Sequence, residues 1–253
     1  MVVESTEPEA SSLYKTMVAI PAWNEEQTIA DVIEKVRLVD AVDAIVVIND
    51  GSVDNTGPIA RSSKATVLTL PFNVGVGGAM RAAFLYAREH DFDFVVQVDA
   101  DGQHDPKDIP LLIAAAEPAN VVIGARFADG DDYEVSFPRK LAMRILASSL
   151  SRVTHSTLTD TTSGFRLSDK QAIKLFSTHY PAEYLGDTVE SLVIAARAGL
   201  EVTQVPVKMH ERQGGRASQS ALRASLYLGR SILALFVSLT RWRRDKTRDE
   251  ASP

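Results

Sequence analysis

Phe94-Val95-Val96-Gln97-Val98-Asp99-Ala100-Asp101-Gly102-Gln103-His104 is the stretch on which the fold turns. A short β-branched run stops abruptly at two carboxylates one residue apart, as a strand buried on both faces does where it leaves a sheet. The pattern has two precedents upstream. Met17-Val18-Ala19-Ile20 runs into Pro21, and Ala44-Ile45-Val46-Val47-Ile48 runs into Asn49-Asp50-Gly51. Between these runs lie helical spacings: Ile29, Val32, Ile33 and Val36 within Glu26–Leu38, and Met80, Phe84 and Ala87 within Gly77–His90. Strands alternating with helices from the start predict a mostly parallel, doubly wound α/β sheet with ligands at the carboxyl ends of its strands. Those are the ends at which this chain places its polar residues. Further strands are expected at Val121-Val122-Ile123 and Glu201–Val207. Further helices are expected at Arg139–Val153, at Thr188–Ala198 (closed by Gly199) and within Ser218–Trp242.

The chain has 253 residues, 45% apolar and 24% charged, enough for one large α/β domain with a sizeable core. Its formal net charge of −6 argues against nucleic acid as a partner of the whole surface. The absence of cysteine removes disulfides, thiolate metal sites and a thiol nucleophile. Met1–Ser12 carries Glu, Ser, Thr and Pro without an apolar core, which fits a disordered tail rather than a signal peptide. Ser231–Thr240 is the longest uncharged apolar stretch near the C-terminus; as a helix it covers about 15 Å, half of a bilayer's roughly 30 Å core. The expected organisation is a tail over 1–14, one catalytic α/β domain over 15–218, and an amphipathic helix with a basic tail over 219–253.

Asp99 and Asp101, at a turn after a strand, offer hard oxygen ligands suited to Mg²⁺ or Mn²⁺, ions that keep waters and take phosphate oxygens as further ligands. Asp50-Gly51-Ser52-Val53-Asp54 and Pro21-Ala22-Trp23-Asn24-Glu25-Glu26 add acidic and hydroxyl groups at the same edge. Each segment alone reads equally as turn and N-cap chemistry. Together, carboxylates ending successive strands repel unless a cation joins them, which favours a nucleotide-diphosphate and metal site. A dinucleotide fingerprint is excluded, because Met80 stands where the third glycine after Gly75 and Gly77 belongs. His104 lies beside the carboxylates, within reach of a ligand. His155, His179 and His210 read as ordinary loop or strand residues, and the five histidines have no zinc spacing.

The four segments Pro21–Glu25, Ile48–Asp54, Asn73-Val74-Gly75-Val76-Gly77 and Asp99–His104 resemble, in order and spacing, the GT-A glycosyltransferases of family 2. Ser163-Gly164-Phe165-Arg166, Val189-Glu190, Val205-Pro206, and Arg212 followed by Gly215 resemble the dolichyl- or polyprenyl-phosphate sugar transferase branch. The resemblance implies that Pro21, Trp23, Glu25, Asp50 and Gly75 hold the donor nucleotide. It implies that Asp99, Asp101 and Gln103 hold Mg²⁺ or Mn²⁺ and the diphosphate, and that Arg126 and Arg212 contact phosphates, work suited to a permanently charged bidentate group. Arg126 and Arg212 also read as surface ion-pair partners. In two places the chain departs from the pattern: Ala217-Ser218 replaces a frequent Ser-Lys, and Val76 a frequent Lys.

The implied reaction is an inverting transfer of a sugar from a UDP- or GDP-sugar to a polyprenyl phosphate. A phosphate acceptor needs no strong base, whereas a hydroxyl of a glycan or lipid does. Asp187 and Glu190 are the candidates for that base, and they read equally as an N-cap and its capping box. A sugar nucleotidyltransferase is the further alternative, without the expected basic Gly-rich loop after the first strand. Leu222, Leu226, Leu233, Phe236 and Val237 form an apolar stripe, with Trp242 among Arg241, Arg243 and Arg244. That pattern suits a helix in the membrane interface, at the cytoplasmic face of the cell membrane, or one packed on the domain, a homodimer partner or a small membrane protein.

Overall fold

The computed structural model describes residues 14–126, 148, 150–151, 154, 156, 158–181 and 187–210; side chains at Arg126 and Asp187 lie outside the description. The expected tail (apart from Tyr14), most of the helix Arg139–Val153, Arg212 and the helix over 219–253 also lie outside it. Tyr14 packs its ring against Phe94 and donates its hydroxyl to Glu117.

Along the chain run β1 (Thr16–Ala22), α1 (Ile29–Arg37), β2 (Ala44–Asn49), α2 (Thr56–Ser62), β3 (Thr66–Thr69), α3 (Gly75–Glu89) and β4 (Phe94–Gln97). A 3-10 turn at Pro106–Asp108 leads into α4 (Ile109–Ala114). Then follow β5 (Val121–Arg126), β6 (Arg166–Asp169), α5 (Lys170–His179), α6 (Asp187–Arg197) and β7 (Val202–Val207). The strands form one sheet in the order β3-β2-β1-β4-β6-β5-β7. All pairs are parallel except those made by β6, which is antiparallel to both β4 and β5.

The apolar runs expected as strands are strands, and they are apolar throughout because both faces are covered. On one face, Met17, Ala19, Val46, Ile48 and Val95 pack under Met80 and Phe84 of α3, Phe176 of α5 and Leu192 of α6. On the other, Val18, Ile20, Val47 and Val96 pack under Ile29 and Ile33 of α1 and under Ile109 and Leu112. Helix α1 begins later than the spacing suggested. The carbonyl of Glu25 accepts from both Thr28 and Ile29, closing a turn first. Meanwhile the Glu25 and Glu26 amides are held by Thr56 and Asp54 of the next connection.

Pro21 sits inside a central strand, a position that ordinarily costs a ladder bond. Here β4 has already parted: its last register pair is Gln97 with Ala19, followed only by the Val98 amide on the Ala19 carbonyl. β2 continues alongside as far as Asn49 opposite Ala22. The crevice between the carboxyl ends of β1 and β4 lies where the strand order reverses, the usual ligand position in such sheets.

Phe176 is 2% exposed and meets the rings of Phe84 and Tyr180, each with centroids 5.2 Å away. Phe176→Ala is expected to lower stability by about 3–5 kcal/mol in urea denaturation, through lost transfer energy and a cavity.

Candidate active site

Three connections meet at this crevice, and their polar groups are spent largely on one another. After β1, Asn24 takes a left-handed conformation with φ 57°. Its amide donates to Ser52 Oγ over 3.1 Å, and its side-chain oxygen accepts from the Val53 amide over 3.0 Å. Asp54 accepts from the Thr56 amide and hydroxyl and from the Glu26 amide. The turns after β1 and β2 are therefore one stitched unit. Trp23 stands out of it, 43% exposed, while Pro21 is buried in the sheet.

Asp50 is 3% exposed, and its two oxygens each accept a backbone amide at 2.8 Å, Oδ1 from Val74 and Oδ2 from Gly75. Burial raises its carboxyl above the ordinary value, against the opposing pull of those two amides. The carboxylate anchors the first turn of α3, where Gly75 has φ 85°. Gly51 is required for this approach: a Cβ there would lie 2.5 Å from the Phe72 carbonyl carbon. Asp50, expected at the nucleotide, also anchors the loop that carries Gly75.

Asp99 follows β4 directly. Its Oδ1 accepts from Gln97 Nε2 over 3.1 Å, and its backbone amide donates to His104 Nδ1 over 3.0 Å. Its side chain is 36% exposed. A Cβ on Gly164 would sit 2.9 Å from Asp99 Oδ2, so the glycine of Ser163-Gly164-Phe165-Arg166 leaves room for the carboxylate. Asp101 is 8% exposed and accepts the Gln103 amide over 3.0 Å. The Gln103 carbonyl in turn accepts from the His210 amide over 2.8 Å, and His210 Nε2 lies 3.3 Å from Asp105 Oδ2. The segment after β7 is thus tied along the turn that carries Asp101 and Gln103. His210 is part of that tie rather than an ordinary loop residue.

His104 is 5% exposed, with Nδ1 accepting from the Asp99 amide and its ring stacked on Phe165. Arg126 ends β5, paired in register with Val207, and Asp187 opens α6. Glu190 is exposed on α6, whereas Val189, Ser191 and Leu192 are buried.

Sequence reasoning missed the role of Arg166. It is 6% exposed and donates to the carbonyls of Ser163, Thr161 and Thr188 and to Ser191 Oγ. It therefore ties the loop over Asp99 to the first turn of α6. A charged residue opening a four-residue strand was the available signal. Among the described residues no group of three or more His, Asp or Glu side chains converges on one point. No described helix is long and apolar enough to cross a membrane.

The family model described as Glycosyl transferase family 2 matches residues 17–176. The chain is 29% identical to the undecaprenyl-phosphate mannosyltransferase of Micrococcus luteus, over 90% of this chain and 93% of that protein. It is 30% identical to the UDP-N-acetylglucosamine–dolichyl-phosphate N-acetylglucosaminyltransferase of Methanococcus voltae, over 75% and 83% of the two chains. Among solved structures, glucosyl-3-phosphoglycerate synthase from Mycobacterium tuberculosis, in complex with Mn²⁺, UDP and glucosyl-3-phosphoglycerate, superposes with a TM-score of 0.63 at 23% identity. That match covers 89% of this chain and 79% of the other, and the shared fold is GT-A.

Asp50→Ala removes the acceptor of the part-buried Val74 amide and one of the two acceptors of the Gly75 amide, which also reaches Asn73 Oδ1. It is expected to cost about 1–3 kcal/mol in chemical denaturation and to speed hydrogen exchange, more at Val74 than at Gly75.

Proposed function

Because this chain belongs to glycosyl transferase family 2, we propose that it moves a sugar from a UDP- or GDP-sugar to a polyprenyl phosphate, with inversion and with Mg²⁺ or Mn²⁺. The observation that carries the reading is the partly exposed carboxylate of Asp99 at the β1–β4 switch point, with Asp101 one turn further on. The acceptor class is supported by the relatives, which include an undecaprenyl-phosphate mannosyltransferase and a dolichyl-phosphate N-acetylglucosaminyltransferase.

The residues present fit a divalent ion. Gly164 leaves the space beside Asp99 that a Cβ would fill, and an ion sharing a diphosphate needs only one or two protein carboxylates. Asp99, Asp101 and Gln103 would hold it. When bound, it would neutralise charge on the departing diphosphate.

The remaining work falls to the chain itself. Pro21, Trp23, Glu25, Asp50 and Gly75 are assigned to the donor nucleotide, with the Asp50 carboxylate also holding the α3 turn that carries Gly75. Arg126 and Arg212 are assigned to donor and acceptor phosphates, whose geometry a guanidinium matches bidentately. A lipid phosphate is already anionic near neutral pH, so orienting it opposite the leaving group and balancing charge suffice for displacement. Asp187 and Glu190, at the start of α6, are assigned to the acceptor side, where a hydroxyl acceptor would call on one of them as base.

We assign 15–218 to catalysis, 1–14 to a tail, and 219–253 to contact with the membrane interface, which places the protein peripherally at the inner face. A small membrane protein or a second copy of the chain is the other partner proposed for that helix.

The test supplies purified protein with Mn²⁺ or Mg²⁺, a short polyprenyl phosphate and a panel of UDP- and GDP-sugars. Nucleoside diphosphate release and labelled glycolipid are both measured. Metal-dependent release with glycolipid is expected, reduced at least 100-fold in Asp101→Asn, on the order of losing one transition-state electrostatic contact. Donor turnover onto a hydroxyl acceptor, with none onto the lipid phosphate, overturns the acceptor assignment. Gly164→Ala should shift the melting temperature little, since the added methyl meets only the ends of the Asp99 and Gln97 side chains, yet lower turnover roughly 10-fold or more.

A further inference from the structure

We infer that His104 is a positioning residue, whose neutral ring sets the backbone and carboxylate of Asp99. This deepens the reading of Asp99 as a diphosphate and metal ligand, and rests on it. Asp99 is where the β1–β4 ladder has run out: the Val98 amide reaches the Ala19 carbonyl, and the next amide has no strand partner. A part-buried amide without a strand partner needs an acceptor, and His104 Nδ1 supplies it at 3.0 Å. A nitrogen that accepts carries no proton, so the proton of the neutral ring is on Nε2. That atom lies 3.7 Å from Asp99 Oδ2, too far for a hydrogen bond, but near enough for the N–H dipole to face the carboxylate.

The ring is itself held. It stacks on Phe165, with centroids 5.1 Å apart and planes at 21°, and Phe165 is fully buried. The His104 backbone bridges to Met209 beyond β7. The imidazole therefore connects Asp99 to the residue following Gly164, while the backbone of the same residue reaches the segment leaving β7. Groups that hold a metal-binding carboxylate from behind fix its direction, and their loss typically costs 10- to 100-fold in metal affinity. Gln97 performs the same service at Oδ1.

A residue that merely fills space would tolerate any side chain of similar size, and this separates the two roles. Asparagine puts an acceptor oxygen where Nδ1 stands. Glutamine reaches the Nε2 position and leaves the Asp99 amide without an acceptor. The experiment titrates Mn²⁺ into the purified full chain with saturating UDP, and separately GDP, reading free Mn²⁺ by electron paramagnetic resonance alongside the melting temperature. Asp99→Asn is expected to abolish tight Mn²⁺ binding. His104→Ala and His104→Gln are expected to weaken it roughly 10- to 100-fold, and His104→Asn to recover most of the loss. Equal affinity for the Asn and Gln variants, or parental affinity in His104→Ala while Asp99→Asn binds weakly, overturns the inference and leaves the metal reading standing. Parental affinity in Asp99→Asn overturns the metal reading itself, and the role of His104 with it. If His104→Ala does not fold, the Asn and Gln pair decides.

Discussion

A guanidinium buried at the start of β6 holds the loop over Asp99 to the first turn of α6. Arg166 is 6% exposed, and a charge removed from water must be compensated by hydrogen bonds. It meets that demand with carbonyls from two places: Thr161 and Ser163 in the loop that leads into β6, and Thr188 in the first turn of α6. Satisfying one side chain thereby fixes the loop that lays Gly164 against Asp99. It also fixes the start of the helix that presents Glu190. Removing the charge would leave several buried acceptors unpaired, each costing about 1–3 kcal/mol. Arg166 opens β6, a short antiparallel strand between β4 and β5 in an otherwise parallel sheet.

The parallel part of the sheet was legible because burial on both faces forces uninterrupted apolar runs, and β1, β2 and β4 have them. β3 and β6 were not legible, for different reasons. Thr66–Thr69 is an edge strand with no fully buried position, and only Val67 and Leu68, partly buried, touch the core. Arg166–Asp169 is polar because it serves the loop and helix it joins: Arg166 ties them, and Asp169 caps α5 by accepting the Ala172 amide. In both strands the backbone pairing is dictated by neighbours rather than by local pattern.

The site divides along a similar line. Asp50, Asp99 and Asp101 were visible as carboxylates ending strands, since charge at a sheet edge is unusual enough to read. What each carboxylate touches was not visible. Asp50 and Asp54 spend their oxygens on amides of neighbouring loops. His104, which looked available to a ligand, is committed to the Asp99 amide. The partners of Asp50 and Asp54 include groups 24 to 28 residues away, which the sheet order brings together, whereas His104 meets Asp99 within one turn. Residue type announces that an edge is charged; topology decides which charges remain to meet a substrate.

The two ends of the proposed reaction meet through backbone contacts, backed by the carboxylates of Asp105 and Asp108. The donor end is built from the turns after β1, β2 and β4, stitched to one another and to α3. The chain that continues toward Arg212 leaves β7 with the His210 amide on the Gln103 carbonyl and a bridge from Met209 to His104. Backbone pairing of this kind tolerates substitution of the side chains but not displacement of the strand. Any movement of the segment beyond β7 therefore pulls on the turn that holds Asp101. A diphosphate drawing Asp99, Asp101 and Gln103 together would pull on that segment in return, because a coupling between two sites acts equally in both directions.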